Sequence, residues 1–202
     1  TITAKCTAEG CYLTDGNGGS VTINKPAHTT YGDGQSEKAT LTENSWQGLA
    51  VNEDAITYTK DGTSLEAAPT DAGTYTASIT VGEGENAATA SVKYTIAQAE
   101  LTIDSVTVAS KTYNGSADAE ITNVTFTGLK NSEALTKGTD YEVSGTFNSA
   151  NVNEANKVTG TVTLKDTSKV KNYKLPITTY DVSATIAQAA TPAAPTGLTG
   201  VK

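Results

Sequence analysis

Thr95-Ile96-Ala97-Gln98-Ala99 recurs 90 residues later as Thr185-Ile186-Ala187-Gln188-Ala189. A fixed period of that size marks tandem modules. Each copy closes an alternating run. Val92, Tyr94 and Ile96 lead into the first, and Val182, Ala184 and Ile186 into the second. Alternation with period two places one set of side chains on a core and the other in water, which is the pattern of a half-buried strand. The first copy runs on through Glu100 into the strand-like Leu101-Thr102-Ile103, whereas the second runs into Thr191-Pro192-Ala193-Ala194-Pro195. The repeat therefore reads as a joint between modules. It divides the chain into a first module over 1–98, a second over 99–189, and a Pro/Ala linker over 190–202 leading towards a further domain.

Tyr75, Ala77, Ile79 and Val81 alternate with Thr74, Thr76, Ser78 and Thr80, and Val158, Gly160, Val162 and Leu164 alternate with Thr159, Thr161 and Thr163. Further strands are expected at Val21–Ile23, Ala39–Thr42, Ala55–Thr59, Leu101–Ile103, Val106–Val108, Ala119–Phe126 and Tyr141–Phe147. Asp15–Gly19, Asp61-Gly62, Gly82–Gly84 and Asn114-Gly115 separate them with residues that accept the positive φ of tight hairpins. Thr, a β-branched residue suited to a pleated surface, is the commonest residue, with 37 of 202. Short, regularly punctuated strands predict an all-β chain of two β-sandwich modules. Only Ser132–Lys137 has the composition of a helical turn, and a β-grasp arrangement with one short helix there is the alternative.

The two halves also align internally. Thr30-Tyr31-Gly32-Asp33-Gly34 corresponds to Thr112-Tyr113-Asn114-Gly115-Ser116, and Asp71-Ala72-Gly73-Thr74-Tyr75-Thr76 to Lys157-Val158-Thr159-Gly160-Thr161-Val162. Identity between them is low, so the halves read as diverged relatives.

Composition narrows the function classes. The net charge is −8, and all fourteen basic residues are Lys. Such a balance argues against nucleic acid or an anionic membrane as partner, since both need clustered positive charge. Residues 1–98 carry twelve acids against five Lys, and 99–202 ten against nine, so the first half is the acidic one. No run is long enough to cross a membrane as a helix. Thr1 opens directly into alternating sequence without an initiator Met or the order of a signal peptide, so the chain reads as a fragment or processed product.

Few residues suggest chemistry. Cys6 and Cys11, the only cysteines, flank four residues, a spacing that could pin a hairpin by a disulfide in an exported protein. Two free thiols are the other reading. A zinc site would need four ligands, and only the distant His28 adds to the two thiols. Asp15-Gly16-Asn17-Gly18 opens like a calcium loop, but Pro26 stands where the bidentate Glu belongs. Glu83-Gly84-Glu85 reads as a solvated loop, and Glu53-Asp54 has no pocket-forming context. Trp46, the sole Trp, could stack on a sugar ring or lie partly buried in a sandwich. His28, beside the Pro26 turn, reads as an exposed linker residue. No catalytic, cofactor-binding or metal-ligating set emerges.

Thr112-Tyr113-Asn114-Gly115, Lys137-Gly138-Thr139-Asp140-Tyr141-Glu142-Val143-Ser144 and Asn172-Tyr173-Lys174-Leu175 together resemble the YDG-type, immunoglobulin-like repeats of bacterial cell-surface proteins. Asp71-Ala72-Gly73-Thr74-Tyr75 followed by Val92-Lys93-Tyr94-Thr95-Ile96 is similar to the ending of related repeats. One departure is Asn114, where Asp is usual. In the first module Gly32 intervenes before Asp33. The resemblance implies immunoglobulin-like modules, no catalytic residues, and an extracellular setting on the bacterial surface or in the secreted fraction. The expected role is a non-enzymatic spacer or stalk, monomeric and partnered by neighbouring modules of its own chain. The alternative is an adhesion module for host glycan or extracellular-matrix protein.

Overall fold

The computed structural model describes residues 1–5, 17–44 and 51–192. These are mostly strand, and the helical turns among them are three single-turn 3-10 segments at Glu53–Ala55, Gly84–Asn86 and Val170–Asn172. The chain is all-β, as the alternation predicts. Its packing groups residues into two compact units. Unit 1 takes Thr1–Glu100 with Leu129–Glu133 and Ser168–Lys174; unit 2 takes Leu101–Gly128, Ala134–Thr167 and Leu175–Lys202. The period in the sequence breaks the chain at 98/99. Packing additionally assigns two segments of the second half to unit 1.

In unit 1, β1 (Ile2–Lys5), β2 (Asn17–Asn24) and β3 (Thr40–Asn44) form an antiparallel three-stranded sheet in that order. A second sheet has the order β5-β4-β6-β7, from β4 (Thr57–Lys60), β5 (Thr63–Leu65), β6 (Gly73–Val81) and β7 (Ala88–Ile96). Asp61 and Gly62, with φ of 49° and 81°, turn β4 into β5. Two successive positive φ values match the twist of the flanking strands, which is why an Asp-Gly pair serves there. Tyr75, Ala77, Ile79 and Val81 of β6 face the core, and it is shared with Ile2 and Ile23 of the first sheet and with Tyr58, Tyr94 and Ile96. The opposite face carries a ladder of hydroxyl pairs across β6 and β7: Thr74 with Thr95 at 3.2 Å, Ser78 with Ser91 at 2.9 Å, Thr80 with Thr89 at 2.8 Å. Pairs of this kind contribute about 0.2–1 kcal/mol each, so the abundant Thr supports the sheet from its wet face. Unit 1 also holds β8 (Ala99–Glu100), paired in parallel with β14 (Tyr173–Lys174).

Unit 2 is built from β9 (Thr102–Val108), β10 (Lys111–Thr112), β11 (Ile121–Thr127), β12 (Tyr141–Phe147), β13 (Lys157–Leu164), β15 (Thr179–Ser183) and β16 (Ile186–Ala187). β9 pairs with β11, and β12, β13 and β15 form an antiparallel sheet in that order. Their inner faces enclose one core that includes Ile121, Val124, Tyr141, Phe147, Val158 and Val162.

The helical turn expected over Ser132–Lys137 does not form. Asn131 and Ser132 are left-handed, with φ of 53° and 58°, and Lys137 makes a β-bridge with Tyr141. The reason is a side chain that competes for the backbone. Buried Asp140 accepts from Thr136 N at 2.9 Å through Oδ2, while its own N–H donates to Thr136 O at 2.7 Å. The turn therefore closes over Thr136–Asp140, and the β-grasp alternative loses its helix.

Candidate functional site

The recurring TIAQA segment closes each unit in the same way. In unit 1, Ala97 N donates to Thr29 O at 2.8 Å and Tyr31 N to Ala97 O at 2.9 Å. In unit 2, β10 lies parallel to β16, and Tyr113 N donates to Ala187 O at 2.8 Å. Ala97 and Ala187 hold the same place in the repeat, so the two tyrosines sit at equivalent positions. The turns that follow match too. Asp33 Oδ1 accepts from Gln35 N at 2.9 Å, and Asn114 Oδ1 from Ser116 N at 3.1 Å. These are Asx turns, for which Asn and Asp are interchangeable acceptors. The Asp-to-Asn departure leaves the turn intact.

Side-chain surroundings then diverge. Tyr31 is buried, 6% exposed, while Tyr113 is 45% exposed. Within unit 1, Tyr31 Oη donates to Glu133 Oε1 at 2.8 Å, and Tyr173 Oη donates to Glu133 Oε2 at 2.6 Å. The two rings meet edge to face, with centroids 5.4 Å apart. Burial and the Glu133 carboxylate both push the Tyr173 phenol up from its ordinary value, and the same two causes raise Tyr31. Buried Asn172 accepts from Ala72 N at 2.8 Å and donates to Asp71 Oδ1 at 2.9 Å. Gln98 Nε2 donates to Lys171 O at 2.9 Å. A single polar cluster thus gathers residues from five separated stretches of unit 1.

His28 sits beside that cluster, and the structure corrects its expected exposure. It is 4% exposed, with Nδ1 2.6 Å from Asp33 Oδ1 and Nε2 3.0 Å from Thr70 O. Both ring nitrogens face acceptors, an arrangement that the doubly protonated imidazolium satisfies in full. Burial acts to lower its pKa, but the Asp33 hydrogen bond, the Thr70 carbonyl and the charges of Asp33 and Glu37 outweigh that and raise it. Asp33 is opposite in sign. Burial would raise it, yet bonds from His28 and from the backbone N–H groups of Thr29, Gln35 and Thr30 hold it well below the usual carboxylate range. The arrangement is a clasp: a loop carboxylate collects its own backbone donors while the imidazolium ties that loop to Thr70.

In unit 2 the equivalent region is an open pocket of about 310 Å³, lined by Tyr113, Asn151, Val152, Asn153 and Gln188. Its chemistry is an aromatic ring with three side-chain amides. Gln188 stands in the second TIAQA where Gln98 stands in the first.

The residues singled out in the sequence fall elsewhere. Cys6, Cys11 and Trp46 lie outside the described residues, as do Asp15 and Gly16. Glu53 accepts from Leu41 N at 2.9 Å, and Asp54 forms an exposed 3.9 Å pair with Lys38. Both line a pocket of about 410 Å³ with Tyr58 and Leu65. Glu83 precedes the single-turn Gly84–Asn86 segment, which contains Glu85. Among the described residues no group of three or more His, Cys, Asp or Glu side chains is placed to hold a metal ion. Glu133 and Asn172 were not legible in the sequence, because their partners stand about a hundred positions away.

The signature stretches make turn, core and cluster contacts. Asp140 organises its turn, Tyr141 fills the core, and Asn172-Tyr173 bonds Asp71, Ala72 and Glu133. A YDG domain is found at residues 97–181. The YDG domain begins inside the first TIAQA and includes both segments, 129–133 and 168–174, that pack in unit 1. Neither the curated proteins nor the solved structures give a match to the chain.

Proposed function

We propose that the chain is a non-enzymatic structural spacer, part of the stalk of a secreted or wall-attached bacterial surface protein. Its modules are immunoglobulin-like repeats, and it acts as a monomer. The observation that carries this reading is the repeated closure: Tyr31 N to Ala97 O and Tyr113 N to Ala187 O. A device used twice, the first time with the repeat running directly into the next strand, suits a chain selected for linking modules. The YDG domain and the hydroxyl-paired, acidic surface agree with an exposed, soluble array.

Small-angle scattering on the purified chain tests the reading. An elongated particle with a maximum dimension near twice that of one module is expected. A compact, folded-back particle overturns it. Saturable binding to a glycan array or to matrix protein would replace the spacer role with adhesion.

A further inference from the structure

Tyr31 and Tyr113 hold equivalent backbone positions, yet one is buried and the other open. Two further equivalences surround them. Gln98 and Gln188 share a place in the repeat, and strand pairing corrects the alignment read from sequence: Gly73 pairs with Ile96, and the β13–β15 register extended to Ile186 reaches Glu154, so Asp71-Ala72 corresponds to Val152-Asn153 rather than to Lys157-Val158. In unit 1 these three elements hold one object. Tyr31 bonds Glu133, Asp71 and Ala72 bond Asn172, and Gln98 bonds Lys171 O. That object is two loops of the YDG domain, 129–133 and 168–174. In unit 2, Tyr113, Asn151, Asn153 and Gln188 converge on one open pocket.

On the reading of the chain as a tandem spacer, we propose that this pocket is a socket for another YDG-type module following in the same polypeptide. The occupant presents the counterparts of Glu133, Lys171 and Tyr173. The donor and acceptor chemistry is complementary: a phenol and an amide N–H₂ in the socket meet a carboxylate and a backbone carbonyl in the loops. The source is fixed by continuity, because the chain that leaves Gln98 is the chain that supplies the two loops in unit 1. Gln188 likewise stands at the pocket rim, with the chain continuing beyond it. Covalent linkage raises the effective concentration of the occupant, so modest contacts suffice. One difference sets a specificity. A Cβ on Gly32 would lie 2.5 Å from Lys130 Cβ, and in unit 2 Asn114 follows the tyrosine, so the occupant carries a smaller residue where Lys130 stands.

The test compares the 202-residue chain with one in which a second copy of residues 99–192, carrying Lys130→Gly to make room for Asn114, follows Gln188 directly. Tetranitromethane nitrates exposed tyrosines, and peptide mass spectrometry reads the rate at Tyr113. Nitration in the extended chain is expected to fall by about tenfold, the factor for nine-tenths occupancy of a two-state socket. Glu133→Gln and Tyr173→Phe in the appended copy alone should restore part of the rate. Equal rates in the two chains overturn the proposal, as does protection that these substitutions leave unchanged. A sugar that binds the 202-residue chain saturably and protects Tyr113 reassigns the pocket and also overturns it. Scattering on the same extended chain separates the two readings. Protection within a compact particle sinks the spacer alone, and an elongated particle with unprotected Tyr113 sinks the socket alone.

Discussion

His28 Nδ1 lies 2.6 Å from Asp33 Oδ1 in the interior of unit 1, and the other ring nitrogen meets Thr70 O at 3.0 Å. The pair makes stability depend on pH from both sides. His28 has a raised folded pKa, so its contribution is full below about pH 6.5, the ordinary value, and fades as pH rises through the folded value. Asp33 has a depressed folded pKa, so its contribution is full above about pH 4 and fades as pH falls. Urea unfolding followed from pH 3 to pH 9 should show a maximum between those limits. His28→Gln should flatten the alkaline limb while leaving the acid limb sloped. An unchanged alkaline limb in the variant would assign it to other groups.

Glu133 accepts from two phenols at once. Removing either donor leaves the carboxylate one bond, and removing the carboxylate takes the acceptor from both hydroxyls, of which Tyr173 Oη keeps its bond from Lys130 N at 2.9 Å. Tyr31→Phe and Tyr173→Phe should each cost about 1 kcal/mol, and Glu133→Ala about 2–3 kcal/mol. Because the groups share a partner, the double substitution Tyr31→Phe with Tyr173→Phe should depart from additivity by about 0.5 kcal/mol or more. Chemical denaturation of the four proteins measures the coupling.

Gly160 faces Gly145 across β12 and β13, and Tyr180 Oη reaches over to donate to Ser144 O at 2.6 Å. A Cβ on Gly160 would lie 1.9 Å from Ser144 O and 2.4 Å from Tyr180 Oη. Gly160→Ala should destabilise unit 2 by about 3 kcal/mol, at the upper end of overpacking effects, since a backbone atom cannot step aside. The thermal midpoint reads it, and a shift below that of a typical surface substitution would refute the steric argument.

Tyr94 behaves in the opposite sense. Its ring is buried in the unit 1 core, and its hydroxyl is the one buried side-chain polar atom, among the described residues, without a hydrogen-bond partner. Burial accordingly pushes its pKa far up. An unmet buried hydroxyl costs more than it returns, so Tyr94→Phe should be neutral or stabilise by up to about 1 kcal/mol. A loss of more than that would point to a partner for the hydroxyl.

Much of the fold was legible where the signal was local. The alternation of Tyr75 to Val81 against Thr74 to Thr80 named the buried and wet faces of β6 correctly, because side chains on a strand alternate whatever surrounds it. Asp61-Gly62 announced its own hairpin through the φ values those residues tolerate. Leu101–Ile103 and Val106–Val108, expected as two strands, fall on the single strand Thr102–Val108, since Ser105 stays paired with Thr125 and Asp104 is taken up as a bulge. His28 was misread for a related reason. Nothing near it in sequence reveals that Thr70, 42 positions on, offers its carbonyl.

Strand content, the period of the repeat and the turn chemistry were readable from the chain alone, because all of them rest on near neighbours and on each residue's own conformational limits. The sequence could place TIAQA at a joint but not name what the joint pairs with. The parallel contact of Ala97 with Thr29 and Tyr31, and of Ala187 with Tyr113, joins residues far apart along the chain. Only the tertiary structure decided that one motif tyrosine is buried against Glu133 and the other left exposed beside Gln188. The physical reason is that burial depends on what packs over a residue. For Tyr31 that covering comes from loops about a hundred residues away, which no local pattern encodes.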